Sequence, residues 1–204
     1  MKAKFITFEG SEGCGKSTQS RLLYNYLRSR GLKVIYLREP GGTKVSEKIR
    51  KILLDAKNDK MGAACEMLLY MASRAQVVQE IIKPALEKGQ NVICDRFLDS
   101  TVAYQGFGLG MDITLIKYLG NFATTGIKPD LTVFLDLPIK KGLKHRQAAK
   151  DRIERRSFLY HRRVKNGYLN IARQEPRRFK IIRVNADKSV TQQNIRKLVG
   201  NYVF

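Results

Sequence analysis

Residues 10–18, GSEGCGKST, follow the apolar run KFITFE (Lys4–Glu9) and open a stretch, Ser17–Arg30, in which Leu22, Leu23, Tyr26 and Leu27 share one helical face. The order is strand, glycine loop, helix, and the spacing Gly10-x-x-x-x-Gly15-Lys16-Ser17 suits a loop that cradles phosphate. Glycines let successive backbone N–H groups converge on anionic oxygens, and the helix N-terminus adds positive potential. The whole run, Gly10, Ser11, Glu12, Gly13, Cys14, Gly15, Lys16, Ser17 and Thr18, is expected to wrap a nucleoside triphosphate, with ATP the expected one. Lys16 then reaches the β- and γ-phosphates, and Ser17 ligates Mg2+. Cys14 reads as a small residue that the loop needs, ahead of a reactive thiol. Glu12 is the anomaly, a carboxylate inside a cradle for anions.

Further along, KVIYLR (33–38), NVICD (91–95), LTVFLD (131–136) and FKIIRV (179–184) read as strands. Helical patterns lie between them: 46–55, a long one over 63–87 bent or divided at Pro84, others after Asp112, Pro138 and Ser157, and a last one over 190–202. Gly31 closes the first. Short strands rich in Val, Ile and Phe, separated by helices, predict an α/β fold of the P-loop NTPase type. It has three layers, α/β/α, around a parallel sheet of about five strands. One domain is expected over residues 1–204. Glu9, Arg38, Asp95 and Asp136 each close an apolar run, at the carboxyl ends where such sheets gather ligands.

The chain has 39 Lys and Arg against 18 Asp and Glu, a net charge of +21. The charge is dispersed, with no base-stacking aromatic motif beside it, so a site handling charged phosphates accounts for it better than a nucleic-acid surface. No apolar run reaches the roughly 20 residues of a membrane span, and no secretory leader is expected. Three widely spaced cysteines, 14, 65 and 94, fit reduced thiols in a cytoplasm. An Asn-Lys-x-Asp base-reading element is absent, and no strand ends in the Asp-Glu of a motor ATPase. The ending Cys94-Asp95-Arg96 instead offers a carboxylate for Mg2+ and an arginine for a second phosphate, which points to a nucleotide kinase.

The segments FEGSEGCGKST (8–18), REPGGT (38–43), DRFLDSTVAYQG (95–106), KPDLTVFLD (128–136) and DRIE (151–154), in this order, resemble the thymidylate kinase family from Phe5 to Ala186. The resemblance implies transfer of the ATP γ-phosphoryl group to dTMP, with Lys16, Arg96, Arg152 and Glu12 as the catalytic residues. Arg96 and Arg38 face the dTMP phosphate, and Pro40, in a cis turn after Glu39, shapes the acceptor pocket. Tyr70 stacks on thymine, Arg74 hydrogen-bonds the base, and Thr101 and Gln105 read its edge. Tyr104 sits where a ribose 2′-hydroxyl would clash. The bland alternatives are a core role for Tyr70, an ion pair to a helix carboxylate for Arg74 and a packing role in a loop for Tyr104.

Residues 144–157 resemble the lid of the family. Arg152 and Lys150 are expected at the transferring phosphoryl and Arg146 beside adenine; the alternative is a solvated basic helix face. Glu12 corresponds to a carboxylate that faces the 3′-hydroxyl of the acceptor. Gly13 stands where some relatives carry arginine, so the missing cation is expected from the lid. His145 and His161 read as surface residues, and a homodimer is implied. Two rival readings remain: a kinase for another monophosphate, and a non-catalytic phosphate-loop protein that binds nucleic acid.

Overall fold

The computed structural model describes residues 2–144 and 151–203. Five strands, β1 (Phe5–Glu9), β2 (Val34–Arg38), β3 (Asn91–Asp95), β4 (Leu131–Asp136) and β5 (Phe179–Arg183), form one parallel sheet in the order β2-β3-β1-β4-β5. Each apolar run of the sequence became a strand within a residue of its expected bounds. The helices are α1 (Lys16–Ser29), α2 (Lys44–Leu54), α3 (Ala63–Val77), α4 (Lys83–Glu87), α5 (Leu98–Thr101), α6 (Ile113–Ala123), α7 (Ile139–Lys144), α8 (Phe158–Gln174) and α9 (Lys188–Val203).

Both faces of the sheet are covered, which is why its strands read as continuous apolar runs. Alternation along β1 divides them: Ile6 and Phe8 pack with Leu23 and Leu27 of α1 and Ile195 and Val199 of α9. Phe5 turns to the opposite face, against Val77, Ile82 and Phe97. Glu9 shares the parity of Phe5, so the strand period aims its carboxylate at the layer that contains α8.

Side-chain caps set several helix starts. Thr43, Asp112 and Ser157 accept backbone N–H bonds from the first turns of α2, α6 and α8. The long helix over 63–87 is divided by a π-helical stretch, Val78–Ile82, that ends before Pro84. Proline lacks an N–H and crowds the carbonyl four residues back, and the wider turn accommodates both.

A second π-helical stretch, Val102–Gly108, continues α5. It carries Tyr104, which therefore lies on a helix and not in a loop. The sequence pattern concealed this element, because its side chains are buried nearly all round and leave no polar face to mark a period. Gly108 lies against Tyr160, and Gly167 against Phe107, at distances that leave no room for a Cβ. This close approach brings α8 over the site.

Register does the rest. Arg38 pairs with Asp95, and Phe8 with Asp95 on its other side, so the carboxyl ends of β2, β3 and β1 lie in one row. Because β1 sits between β3 and β4, the chain departs to both sides from this row, the crevice where open α/β sheets bind ligands.

Candidate active site

Leaving β1, the chain turns through Gly10, Gly13 and Gly15, all with positive φ. The Lys16 ammonium reaches back across the loop to the Ser11 carbonyl at 2.9 Å, and the Ser17 hydroxyl donates to Asp95 at the end of β3. Gly13 is required twice over: its φ is +70°, and a Cβ there would meet the Gly142 carbonyl of α7 at 2.0 Å. An arginine at this position is therefore excluded by the packing of the loop on α7.

Glu12 turns away from the phosphate cradle to Arg96. Its Oε1 accepts from the Arg96 guanidinium at 2.7 Å and from the Tyr104 hydroxyl at 2.6 Å. Burial alone would raise the carboxyl, but Arg96, with Lys16 and the Tyr104 hydroxyl, outweighs it and holds the group at about 2. Arg96 has φ +72°, uncommon for a side-chain-bearing residue and typical of functional sites. Its other terminal nitrogen donates to the Gly10 carbonyl, Ser100 Oγ and the Tyr168 hydroxyl at 3.1–3.3 Å.

Loop and guanidinium border one cavity of about 360 Å³. Glu12, Gly13, Gly15, Lys16, Ser17, Thr18, Asp95 and Arg96 line it. Arg38, Pro40, Tyr70, Arg74, Thr101, Tyr104 and Gln105 line it as well. The Glu39–Pro40 peptide is cis, as expected. Tyr70 borders the cavity, and burial, aided by nearby Glu66, pushes its phenol up.

Arg74 is 1% exposed and pairs with a carboxylate after all, though Glu39 lies on the turn after β2 and not on a helix. The bond from Nε to Glu39 is 2.8 Å, and the other nitrogens donate to Thr101 Oγ1 and the Phe97 carbonyl at 3.1 Å. Burial outweighs Arg74 and raises the Glu39 carboxyl to about 6. Its Oε1 has no hydrogen-bond partner among the described residues.

Some of the expected residues lie elsewhere, and His161 needs correction. Gly10, Ser11 and Cys14 form the loop but do not border the cavity; Cys14 is buried behind it, close to Gly10. Arg152 does not border the cavity. It is 7% exposed, pairs with the fully buried Glu66 and donates to the Leu53 carbonyl at 3.2–3.3 Å. Arg156 and Gln105 meet the same carboxylate at 2.6 and 2.7 Å. A buried carboxylate needs such compensation, and Arg152 supplies part of it. His161 is buried beside Tyr160, with 1% exposure. His145, Arg146 and Lys150 lie outside the described residues.

The cavity also shows residues that sequence reasoning missed as contributors to it. Arg50 of α2 donates to the Pro40 carbonyl at 2.8 Å, alongside Arg38 at 3.2 Å. Its only sequence signal was a basic residue within an amphipathic helix. Ser100, Asp151 and Glu154 also line the wall. Asp136, singled out at the end of β4, instead pairs with Lys165 at 2.6 Å.

A phosphate loop on a parallel sheet, sharing a cavity with an arginine-lined acceptor pocket, defines a nucleotide kinase of the P-loop class. The sequence model of thymidylate kinase matches residues 8–195. The thymidylate kinase of Geotalea daltonii is 49% identical over 97% of this chain and 99% of its own length. That of Thermoanaerobacter sp. (strain X514) is 44% identical over the full length of both. The crystal structure of thymidylate kinase from Ehrlichia chaffeensis superposes with a TM-score of 0.81 at 32% identity, covering 98% of this chain and 100% of that one. The chain belongs to the thymidylate kinase family, nucleoside monophosphate kinases that phosphorylate dTMP to dTDP with ATP.

Proposed function

We propose that this chain transfers the γ-phosphoryl group of ATP to dTMP by in-line attack of the acceptor phosphate oxygen, giving dTDP and ADP. The observation that carries the reading is Arg96, held at 2.7 Å from Glu12 in the same cavity as Lys16. A phosphate oxygen at neutral pH needs no strong general base, so positioning and cationic stabilisation supply the catalysis. Lys16 holds the triphosphate, and Arg96 with Arg38 takes the phosphate of the acceptor. Tyr70, Arg74, Thr101 and Gln105 form the thymine pocket, while Tyr104 closes it against a 2′-hydroxyl.

Ser17 and Asp95 offer a hydroxyl and a carboxylate oxygen in direct contact, the hard donors that Mg2+ prefers. Among the described residues no cluster of three or more His, Cys, Asp or Glu side chains could hold a metal. This suits an ion whose remaining ligands are phosphates and water. Ser17 and Asp95 would hold the ion, which would supply charge neutralisation to the triphosphate. The chain is read as one domain with residues 144–157 as its lid, Arg152 and Lys150 serving the transferring phosphoryl and Arg146 the adenine. Homodimerisation is supported by apolar side chains exposed on α3 and α6, Leu68, Leu115, Tyr118 and Phe122, the last 81% exposed. No helix among the described residues is long and apolar enough to cross a membrane, and a cytoplasmic enzyme is the reading adopted.

The test is ADP release with ATP and a panel of acceptors: dTMP, dUMP, the thymine ribonucleotide and dGMP. The reading expects dTMP to be preferred. Equal use of dUMP points to a broader kinase, and no acceptor-dependent release with tight oligonucleotide binding overturns it.

A further inference from the structure

Glu9 is fully buried and does not border the cavity, yet it ends β1 next to the phosphate loop. Its Oε1 accepts the Phe97 N–H at 2.8 Å. Its Oε2 accepts two hydroxyls, Ser100 Oγ at 2.6 Å and Tyr168 at 2.8 Å. Those same two oxygens receive the Arg96 guanidinium. A hydroxyl has one proton to give, and once that proton points at Glu9 the lone pairs face Arg96. Tyr104 repeats the arrangement on the other side, donating to Glu12 while accepting from Arg96 at 3.0 Å. Arg96 is thus held by two carboxylate–hydroxyl units, one at the cavity and one behind it. Asp99 and Arg96 are the charged groups facing Glu9, with the Tyr168 phenol.

We propose that Glu9 is a positioning residue for acceptor binding: it orders the hydroxyls of Ser100 and Tyr168 so that both accept from Arg96. This rests on the reading that Arg96 receives the acceptor phosphate. A glutamine at position 9 can keep the Phe97 bond through its oxygen. Its NH2 group then faces two hydroxyl oxygens, whose protons are driven round toward the guanidinium.

The experiment is steady-state kinetics at about pH 8.5, where Glu9 is ionised and accepts both hydroxyls, on Glu9→Gln, on the pair Ser100→Ala/Tyr168→Phe and on the triple variant, with Arg96→Ala as a control for the site. Glu9→Gln is expected to raise KM for dTMP roughly 10-fold, the scale of one disturbed charge-assisted hydrogen bond. KM for ATP should change less than about twofold, and adding Glu9→Gln to the double variant should change KM for dTMP little, because the hydroxyls that relay its effect are gone. An equal effect in both backgrounds, or a matched rise in both KM values, overturns the proposal. Should Glu9→Gln not fold, the double hydroxyl variant decides alone: an unchanged KM for dTMP overturns the proposal. If Arg96→Ala leaves KM for dTMP unchanged, the acceptor-site reading itself fails.

Discussion

The carboxylate of Glu12 and the guanidinium of Arg96 meet at 2.7 Å across 84 residues of chain, joining the phosphate loop to the end of β3. A carboxylate in an anion cradle is tolerable because it is turned out of the cradle and neutralised by Arg96. If Glu12 also reads the 3′-hydroxyl of the acceptor, parent enzyme should lose roughly 10-fold in kcat/KM when 3′-deoxy-dTMP replaces dTMP. Glu12→Gln should show little further discrimination between the two. Equal discrimination by parent and variant would place the hydroxyl elsewhere.

In the proposed mechanism Arg96 and Lys16 serve different substrates. Arg96→Ala is expected to lower kcat/KM for dTMP by roughly 10²–10³-fold while leaving ATP binding close to normal. Lys16→Ala should damage triphosphate handling instead, seen as weaker ATP binding in titration calorimetry. Near-normal turnover in both variants would remove these residues from the mechanism.

Arg152 holds the structure together through Glu66. Arg152→Ala leaves that fully buried carboxylate one cation short, though still met by Arg156 and Gln105, and should cost about 1–3 kcal/mol in urea unfolding, the scale of one hydrogen bond to a charged group. A variant of unchanged stability whose kcat alone collapses would leave Arg152 to the phosphoryl group alone.

Burial foremost, with Asp99 adding, raises the Glu9 carboxyl from 4.5 to about 7 despite the opposing charge of Arg96. The folded state therefore binds this proton more tightly than the unfolded chain. The stability that it contributes is complete below pH 4.5 and is lost as pH rises through about 7. The span is about 3 kcal/mol as an order of magnitude. Urea midpoints between pH 5 and 8 should fall less steeply in Glu9→Gln than in the parent, and parallel profiles would contradict the buried carboxyl as the source.

Gly13→Ala places a Cβ 2.0 Å from the Gly142 carbonyl at a left-handed backbone position. Backbone against backbone gives little room to relax. We expect loss of ATP binding together with about 2 kcal/mol or more of stability, measured by calorimetry and urea unfolding.

The sequence alone was enough for the sheet and for most of the residues that border the cavity. Strands buried on both faces appear as short apolar runs, and polar residues closing those runs mark the carboxyl edge, so Glu9, Arg38 and Asp95 were legible. So was the phosphate loop, whose chemistry is carried by nine adjacent residues. What stayed hidden depends on partners distant in the chain. The DRIE segment, 151–154, shows an arginine but not the carboxylate that holds it, since Glu66 lies on α3. Arg74 shows no sign of Glu39, nor His161 of its burial. The helix over 98–108 has no polar face to betray its period. Local pattern determined which elements form and what the glycine loop binds, because those depend on neighbours in sequence. Only the tertiary structure decided which charges pair, because burial and Coulomb energy depend on distance in space.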